Sequence, residues 1–470
     1  MPFRPVVKNP KPDGHKSETN GSAKSNTRQF TWSEIEATST IKRKQNGNAP
    51  TYIVINDKVY DVGGDFVKWH PGGNVVLSQA GMDATGAFDV FHQEATHEIM
   101  ANFYVGDLAP GQVRKQSDFF NDVTRLRQEF EAKGYYESSK LYYLFKLLFN
   151  QSMWAISIAI MIRFPTNLFA VFVSGLIMAL FFQQSGWLSH DFLHNQVFKN
   201  RSLNKAVGYF TGNVCQGKLF MAWTSFSVSW WVNKHSTHHS TPNVHNADPD
   251  IDTMPILAWS EHALELFTDV DDATLAKFLV KYQPYLYFPI LSFARLSWCH
   301  SSIRYVANNP NIANRFVENA TLALHWIWYL GFATRYLSTF GALLWFVTSQ
   351  GGCGLMLASV FSLNHNGMPV LDQQEAREHD FYALQAITGR DVLPSIAADF
   401  FTGGLNYQIE HHMFPSIPRH NFHLIKEQTL ALCKKHNVPY HATTFTKGTF
   451  EVLSRLADIS KTSLEMKKQK

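Results

Sequence analysis

Cysteine is scarce in this chain: four residues in 470 (Cys215, Cys299, Cys353 and Cys433), none at a paired spacing. That argues against both a disulfide framework and a thiolate zinc site. A strong excess of one charge is also missing. The formal net charge is +4, which gives no argument for nucleic-acid binding. The opening stretch, MPFRPVVKNPKPDGHKSETNGSAKSNTRQ, lacks the apolar run of a secretory signal. It is polar and rich in Pro, Lys and Ser, and residues 1–28 read as a disordered leader facing the cytosol.

Apolar residues are plentiful, at 45%, yet the mean hydropathy is slightly negative, so a polar part dilutes a membrane part. The length exceeds one small domain on a scale of roughly 150 residues each. Histidine is the anomaly. There are 21, many in tight groups.

The pattern divides the chain. Residues 29–110 read as a small α+β domain, with strand-like TYIVINDKVYDV around an Asn-Asp turn and a Gly-punctuated, short-helical stretch after it. Residues 111–140 read as a linker with an amphipathic, surface-lying helix. From 141 to 440 the character is that of an all-α membrane domain. Leu147–Ile162 is uncharged, a short turn follows from Arg163, and Phe164–Ser189 gives 26 further uncharged residues, against ~20 for a spanning helix. A second pair, Asn319–Thr334 and Leu343–Leu363, makes about four spans, while 283–299 contain Arg295 and read as interfacial. Two hairpins return the chain to one face each time, so a histidine-rich cap, the first domain and the 441–470 tail share that face. Lys140, Lys146 and the terminal lysines place it in the cytosol.

The histidine groups lie at span exits or between spans. HDFLH sets His190 and His194 at i and i+4; HSTHH sets His235, His238 and His239 on one helix face; QIEHH repeats that spacing with Gln408 leading His411 and His412; SLNHNG adds His365. Eight imidazoles from four segments suit iron, zinc or copper and exceed one tetrahedral ion, so two metals are the simpler count. Asp191, Glu410, Asp248, Asp250 and Asp252 are candidates to accept imidazole N–H bonds behind the ligands. A lone HxxxH arises often by chance; the recurring group is far harder to dismiss. His245, His262, His325, His379 and His420 read as surface or hydrogen-bonded residues.

In the first domain HPGG places His70, and His92 follows 22 residues later in FDVFH, a pair suited to the two axial positions of one haem. Such a haem carries electrons and leaves no position for oxygen. His97 competes for the second position. With VYDV, AGMDATGAF and NFYVGDL around it, this region resembles cytochrome b5.

With these motifs in place, the chain from about residue 30 onward resembles the front-end fatty acyl desaturases, which fuse an N-terminal cytochrome b5 domain to a three-histidine-box core. Gln in the leading position of the third box, here Gln408, is that subgroup's mark. QQSGWLSHDFLHNQVF, DPDIDTMPILAWSEHALE and FTGGLNYQIEHHMFPSIPRHN look closest to fungal Δ6 desaturases. The resemblance implies two non-haem irons held by His190, His194, His235, His238, His239, His365, Gln408, His411 and His412, with Gln408, His411 and His412 at the chemistry. It implies haem b on His70 and His92, electrons from an NADH–cytochrome b5 reductase, O2 as co-substrate, and a fatty acyl lipid carried on phospholipid or coenzyme A. The end, Lys467-Lys468-Gln469-Lys470, is similar to a dilysine retrieval signal of the endoplasmic reticulum membrane. Rival readings on the same scaffold are a Δ5 acyl desaturase, a sphingolipid long-chain-base Δ8 desaturase and a hydroxylase. Those from other classes are a membrane-anchored b5 electron carrier with structural histidines and, more weakly, a transporter.

Overall fold

The computed structural model describes residues 27–39, 50–93, 95–216, 227–265, 274–309, 312 and 314–468. Nearly all of the 1–28 leader and the end of the C-terminal lysine pattern lie outside them.

The first domain is built on strands β1 (Gln29–Phe30), β2 (Tyr52–Ile55), β3 (Lys58–Asp61) and β4 (Tyr104–Leu108), in the order β1-β4-β3-β2. Asn56 and Asp57 join β2 to β3 with φ of 48° and 64°, the left-handed pair that a two-residue hairpin turn requires and that these side chains tolerate. Strand alternation then sorts the core. Val54 and Val59 pack with Phe30, Trp32 and Ile35 on one face; Ile53, Ile55 and Tyr60 pack with Phe88 and Met100 on the other. On that second side His70 directly follows the helix Asp65–Trp69, and His92 directly follows the helix Thr85–Phe91.

The helix Asp118–Ala132 connects the domains. Its Phe119, Phe120, Val123 and Phe130 are buried in a core shared with Tyr382, Phe414 and Phe422, so its apolar stripe covers protein.

The second domain opens with a hairpin of α1 (Lys140–Arg163) and α2 (Leu168–Leu193), N-capped by Ser139 and Asn167. Polar groups lock it from within: Ser157 and Ser174 donate to each other's carbonyls at 2.8 Å, and Asn150 donates to Ser185 at 2.7 Å. Then come α3 (Val228–Ser240), α4 (Leu275–Ser292), α5 (Ala294–Asn308), α6 (Arg315–Tyr336) and α7 (Thr339–His365). α7 packs so closely on α2 that a Cβ on Gly175 would lie 2.8 Å from Thr348. Last are α8 (Gln408–Met413), α9 (Phe422–Lys435) and α10 (Phe445–Lys468).

Among the described residues α1, α2 and α7 are long and apolar enough to cross a membrane. α6 forms where a fourth span is expected, but it buries Glu318 and His325 and carries Arg315 and Arg335, which lower its apolar character. The domain is also not purely helical, since Arg390–Val392 (β5) and His441–Thr443 (β6) pair in parallel. The segment expected as a tail is largely α10, with Val452, Leu456 and Ile459 fully buried in two cores.

Candidate metal centre

The helix ends aim the histidines at one place. α2 carries His190 and is capped by His194, α3 carries His235, His238 and His239, α7 ends on His365, and α8 carries Gln408, His411 and His412. All eight imidazoles converge, in two sets. Nitrogens of His190, His194, His235 and His411 lie within 4.8 Å of one another, and so do those of His238, His365 and His412. His239 stands between the sets, its ring 4.5 Å from that of His235 and 4.0 Å from that of His412.

The acceptors behind the rings decide which nitrogen faces inward. His238 donates Nδ1–H to Asp248 (2.9 Å), His365 to the Thr388 carbonyl (3.1 Å) and His412 to the Gln385 amide oxygen (2.8 Å). These acceptors hold no proton to give, so each Nε2 presents a bare lone pair. Yet His365 Nε2 lies 3.2 Å from that of His238 and 3.1 Å from that of His412. Lone pairs brought together in this way are a ligand set for a cation. In the other set His190 Nε2, His194 Nε2 and both His411 nitrogens are buried without a hydrogen-bond partner. Burial, and then neighbouring imidazoles, hold His235, His239, His411 and His412 well below the usual histidine range, so all four are neutral at physiological pH. The residues fit two ions of a metal that favours imidazole.

Gln408 occupies a different position from the histidines. Its amide oxygen accepts from Asn364 at 2.7 Å and its amide nitrogen lies 2.7 Å from His365 Nε2. Of the acids, Asp248 meets an imidazole, and Asp191 lies 3.4 Å from His190 Nδ1 while holding Tyr143 and Arg419. Asp250 pairs with Lys234 and lies 3.6 Å from His238 Nδ1. Glu410 turns away from the rings, to Tyr440 (2.8 Å) beside Asp391. Burial and the Asp391 carboxylate push its carboxyl well up. Gln385, Thr388 and Asn364 contact the cluster, and the spacing of histidines gave no means of finding them. His245 stacks on His262 with rings 5.3 Å apart, and buried His325 lies 3.0 Å from the Val214 carbonyl.

Beside the metal sets is a largely apolar cavity of about 580 Å³, within the usual ~300–1,000 Å³ of small-molecule sites. His235 and His365, one from each set, share its wall with Trp231, Leu291, Trp298 and Phe361.

In the first domain the rings of His70 and His92 face one another with centroids 5.9 Å apart. Nδ1 of His92 lies 3.0 Å from the Phe88 carbonyl and that of His70 lies 3.4 Å from the Gly73 carbonyl, which leaves each Nε2 free to bind a haem iron. Burial pulls His92 down to about 4, and pulls His70 down too, so both stay neutral. Glycine is needed here: a Cβ on Gly72 would sit 2.6 Å from Val75, and Gly73 has φ +60°. His97 instead packs edge-on against Phe88 and lies 3.8 Å from Asp89.

The two sites are joined. Asn233 on α3 donates to the Gly72 carbonyl (3.0 Å), buried Gln79 donates to the Ser240 carbonyl (3.0 Å), and Ser78 bonds Ser240 Oγ (2.6 Å). Phe91, next to His92, meets the His239 ring edge-on at 6.3 Å.

Residues 166–444 match the family described as fatty acid desaturase, and 37–109 match the cytochrome b5-like heme/steroid binding domain. The chain is 39% identical over 426 residues to an acyl-lipid (9-3)-desaturase of Physcomitrium patens, a match covering 89% of this chain and 77% of that one. It is 33% identical to a Δ8 fatty acid desaturase of Euglena gracilis (89% and 96% covered). It is 31% identical to the Δ6 fatty acid desaturase fat-3 of Caenorhabditis elegans (84% and 93% covered).

Proposed function

The chain belongs to the fatty acid desaturase family and is a front-end acyl desaturase with its own cytochrome b5 domain, from which we propose that it acts at Δ6, on linoleoyl and α-linolenoyl chains. The products are then γ-linolenoyl and stearidonoyl chains. The relative named for position 6 supports the choice, and relatives named for 8 and 5 mark the alternatives. The observation that carries the chemistry is the pair of imidazole sets whose unprotonated nitrogens converge beside an apolar cavity.

On this reading His190, His194, His235 and His411 hold one iron, His238, His365 and His412 the other, and His239 lies between them. His70 and His92 hold haem b. When bound, these groups supply the O2-dependent oxidation that an unactivated CH2–CH2 pair needs and that no side chain performs. The protein keeps the imidazoles neutral, fixes their Nδ1–H bonds, excludes water and holds the acyl chain against the metals. Two hydrogens leave the chain, two electrons from NADH enter through a cytochrome b5 reductase together with two protons, and O2 becomes two waters. We place the protein in the endoplasmic reticulum membrane with both termini cytosolic.

Expression in a yeast without polyunsaturated fatty acids, fed linoleic and α-linolenic acids, tests the proposal. A new bond at carbon 6 supports it, and one at carbon 5 or 8 overturns the position. Purified protein with haem but no non-haem iron, and no new product, would overturn the enzyme reading in favour of an electron carrier.

A further inference from the structure

Trp259 is 4% exposed, and among the described residues its indole Nε1 has no hydrogen-bond partner. An indole nitrogen only donates, and a buried donor left alone is costly, so the site is built for an acceptor from outside the chain. Trp259 lines the apolar 580 Å³ cavity that reaches His235 and His365, and also a second cavity of about 670 Å³. The second lies between α3 and the first domain, with Asn74, Ser78, Asn233 and Thr237 in its wall. The indole therefore stands where a more polar chamber meets a more apolar one. A carrier-bound acyl chain has the same sequence of chemistry: polar carrier, one carbonyl, then hydrocarbon.

We propose that the Trp259 N–H holds the carbonyl oxygen of the bound acyl ester or thioester, and that this anchor sets the distance from the carboxyl end at which the chain is oxidised. The proposal rests on the desaturase reading. The anchor is held in register with the metals through one segment. At its start Asp248 accepts from His238 Nδ1 (2.9 Å) and the Asn243 amide (2.8 Å). At its end Gln283, fully buried, accepts from the Ala258 amide (2.9 Å) and donates to the Ala258 carbonyl (3.2 Å) and that of Leu456 (2.9 Å). The residue before the indole is thus clamped at both backbone groups. A ruler needs both ends fixed, and this one is tied to a metal-facing histidine at one end and to a buried clamp at the other.

The test uses the full chain loaded with haem and iron in lipid nanodiscs. The probes are dilinoleoyl phosphatidylcholine and its ether-linked counterpart, and linoleoyl-coenzyme A and its thioether counterpart, each competing with a fluorescent acyl lipid. Removing the carbonyl from the bound carrier should weaken binding roughly five- to tenfold in the wild type, the value of one buried hydrogen bond. Trp259→Phe should bind the two forms alike, and its products should spread over neighbouring double-bond positions. The carrier that shows the preference is the one the site takes. Equal binding of both forms by the wild type for both carriers overturns the proposal, as does a Trp259→Phe protein that keeps both the preference and a single product. Should that variant fail to fold, judged by its haem spectrum, the wild-type ratios decide alone. Failure of the wild type to desaturate either substrate would count against the enzyme reading instead, since binding is measured without turnover.

Discussion

His239 stacks on His412 with ring centroids 4.0 Å apart and planes 14° apart. The same ring meets His194 and His411 edge-on at 4.8 and 4.7 Å, and its Nε2 lies 3.0 Å from that of His235. Among the described residues no other imidazole touches both sets so closely. His239→Ala should therefore disturb both ions: iron per chain falls to half or less, and turnover drops by more than the ~100-fold that even an outer-shell change can cost. Haem absorbance should stay intact, because the first domain keeps its own ligands. Full iron content with full turnover would remove His239 from the centre.

Gln408 sits with its amide nitrogen 2.7 Å from His365 Nε2 while Asn364 occupies its oxygen. In this arrangement the amide nitrogen faces the very lone pair that His365 would offer an ion, so the amide must turn over or move aside when a metal binds, and turning over presents its oxygen as a ligand. Gln408→His places a stronger nitrogen donor at the same point. We expect iron to be retained and turnover to fall about tenfold, the lower end of the range for changes around a metal site. Unaltered turnover and iron would show that the amide has no special role.

Much of this site was legible because imidazole spacing survives folding without knowledge of long-range contacts. HxxxH and HxxHH fix which rings share a helix face, and span exits fix their depth, so the convergence of eight histidines could be read from the chain. What could not be read depends on residues far apart in sequence. Gln385 behind His412 and the Thr388 carbonyl behind His365 lie on segments whose pattern carries no metal signal. Glu410, between Ile409 and His411, looked like a partner for imidazole; tertiary packing turned it to Tyr440 and Asp391. α6 shows the same limit in the membrane domain, where polar residues packed inside the protein dilute the apolar signal that hydropathy reads.

The choice between His92 and His97 as second haem ligand rests on geometry. His92 faces His70 across 5.9 Å, and its Nδ1 is held by a backbone carbonyl, whereas the His97 ring packs on Phe88 beside Asp89. His92→Ala should abolish the low-spin spectrum of a haem with two histidine ligands and lower haem content. His97→Ala should leave both in place. The opposite result would exchange the two roles.

Gln79 tests whether the observed docking of the two domains serves electron supply. Its side chain is buried in the interface and donates to the Ser240 carbonyl at 3.0 Å, one residue from His239. Gln79→Leu leaves that carbonyl without its donor, at a cost of about 1–3 kcal/mol. Part of this cost is relieved by undocking, and 1.4 kcal/mol corresponds to a tenfold smaller docked population. Haem content and the rate of haem reduction by the reductase should match the wild type, because neither involves α3. Reoxidation of the reduced haem in the presence of O2 and acyl substrate, followed by stopped-flow absorbance, should slow about tenfold, with desaturation falling in step. If reoxidation keeps its wild-type rate while the interface is demonstrably loosened, for instance by faster proteolysis between residues 109 and 118, then electrons reach the irons from some other arrangement of the domains, and the contact of Phe91 with His239 is structural only.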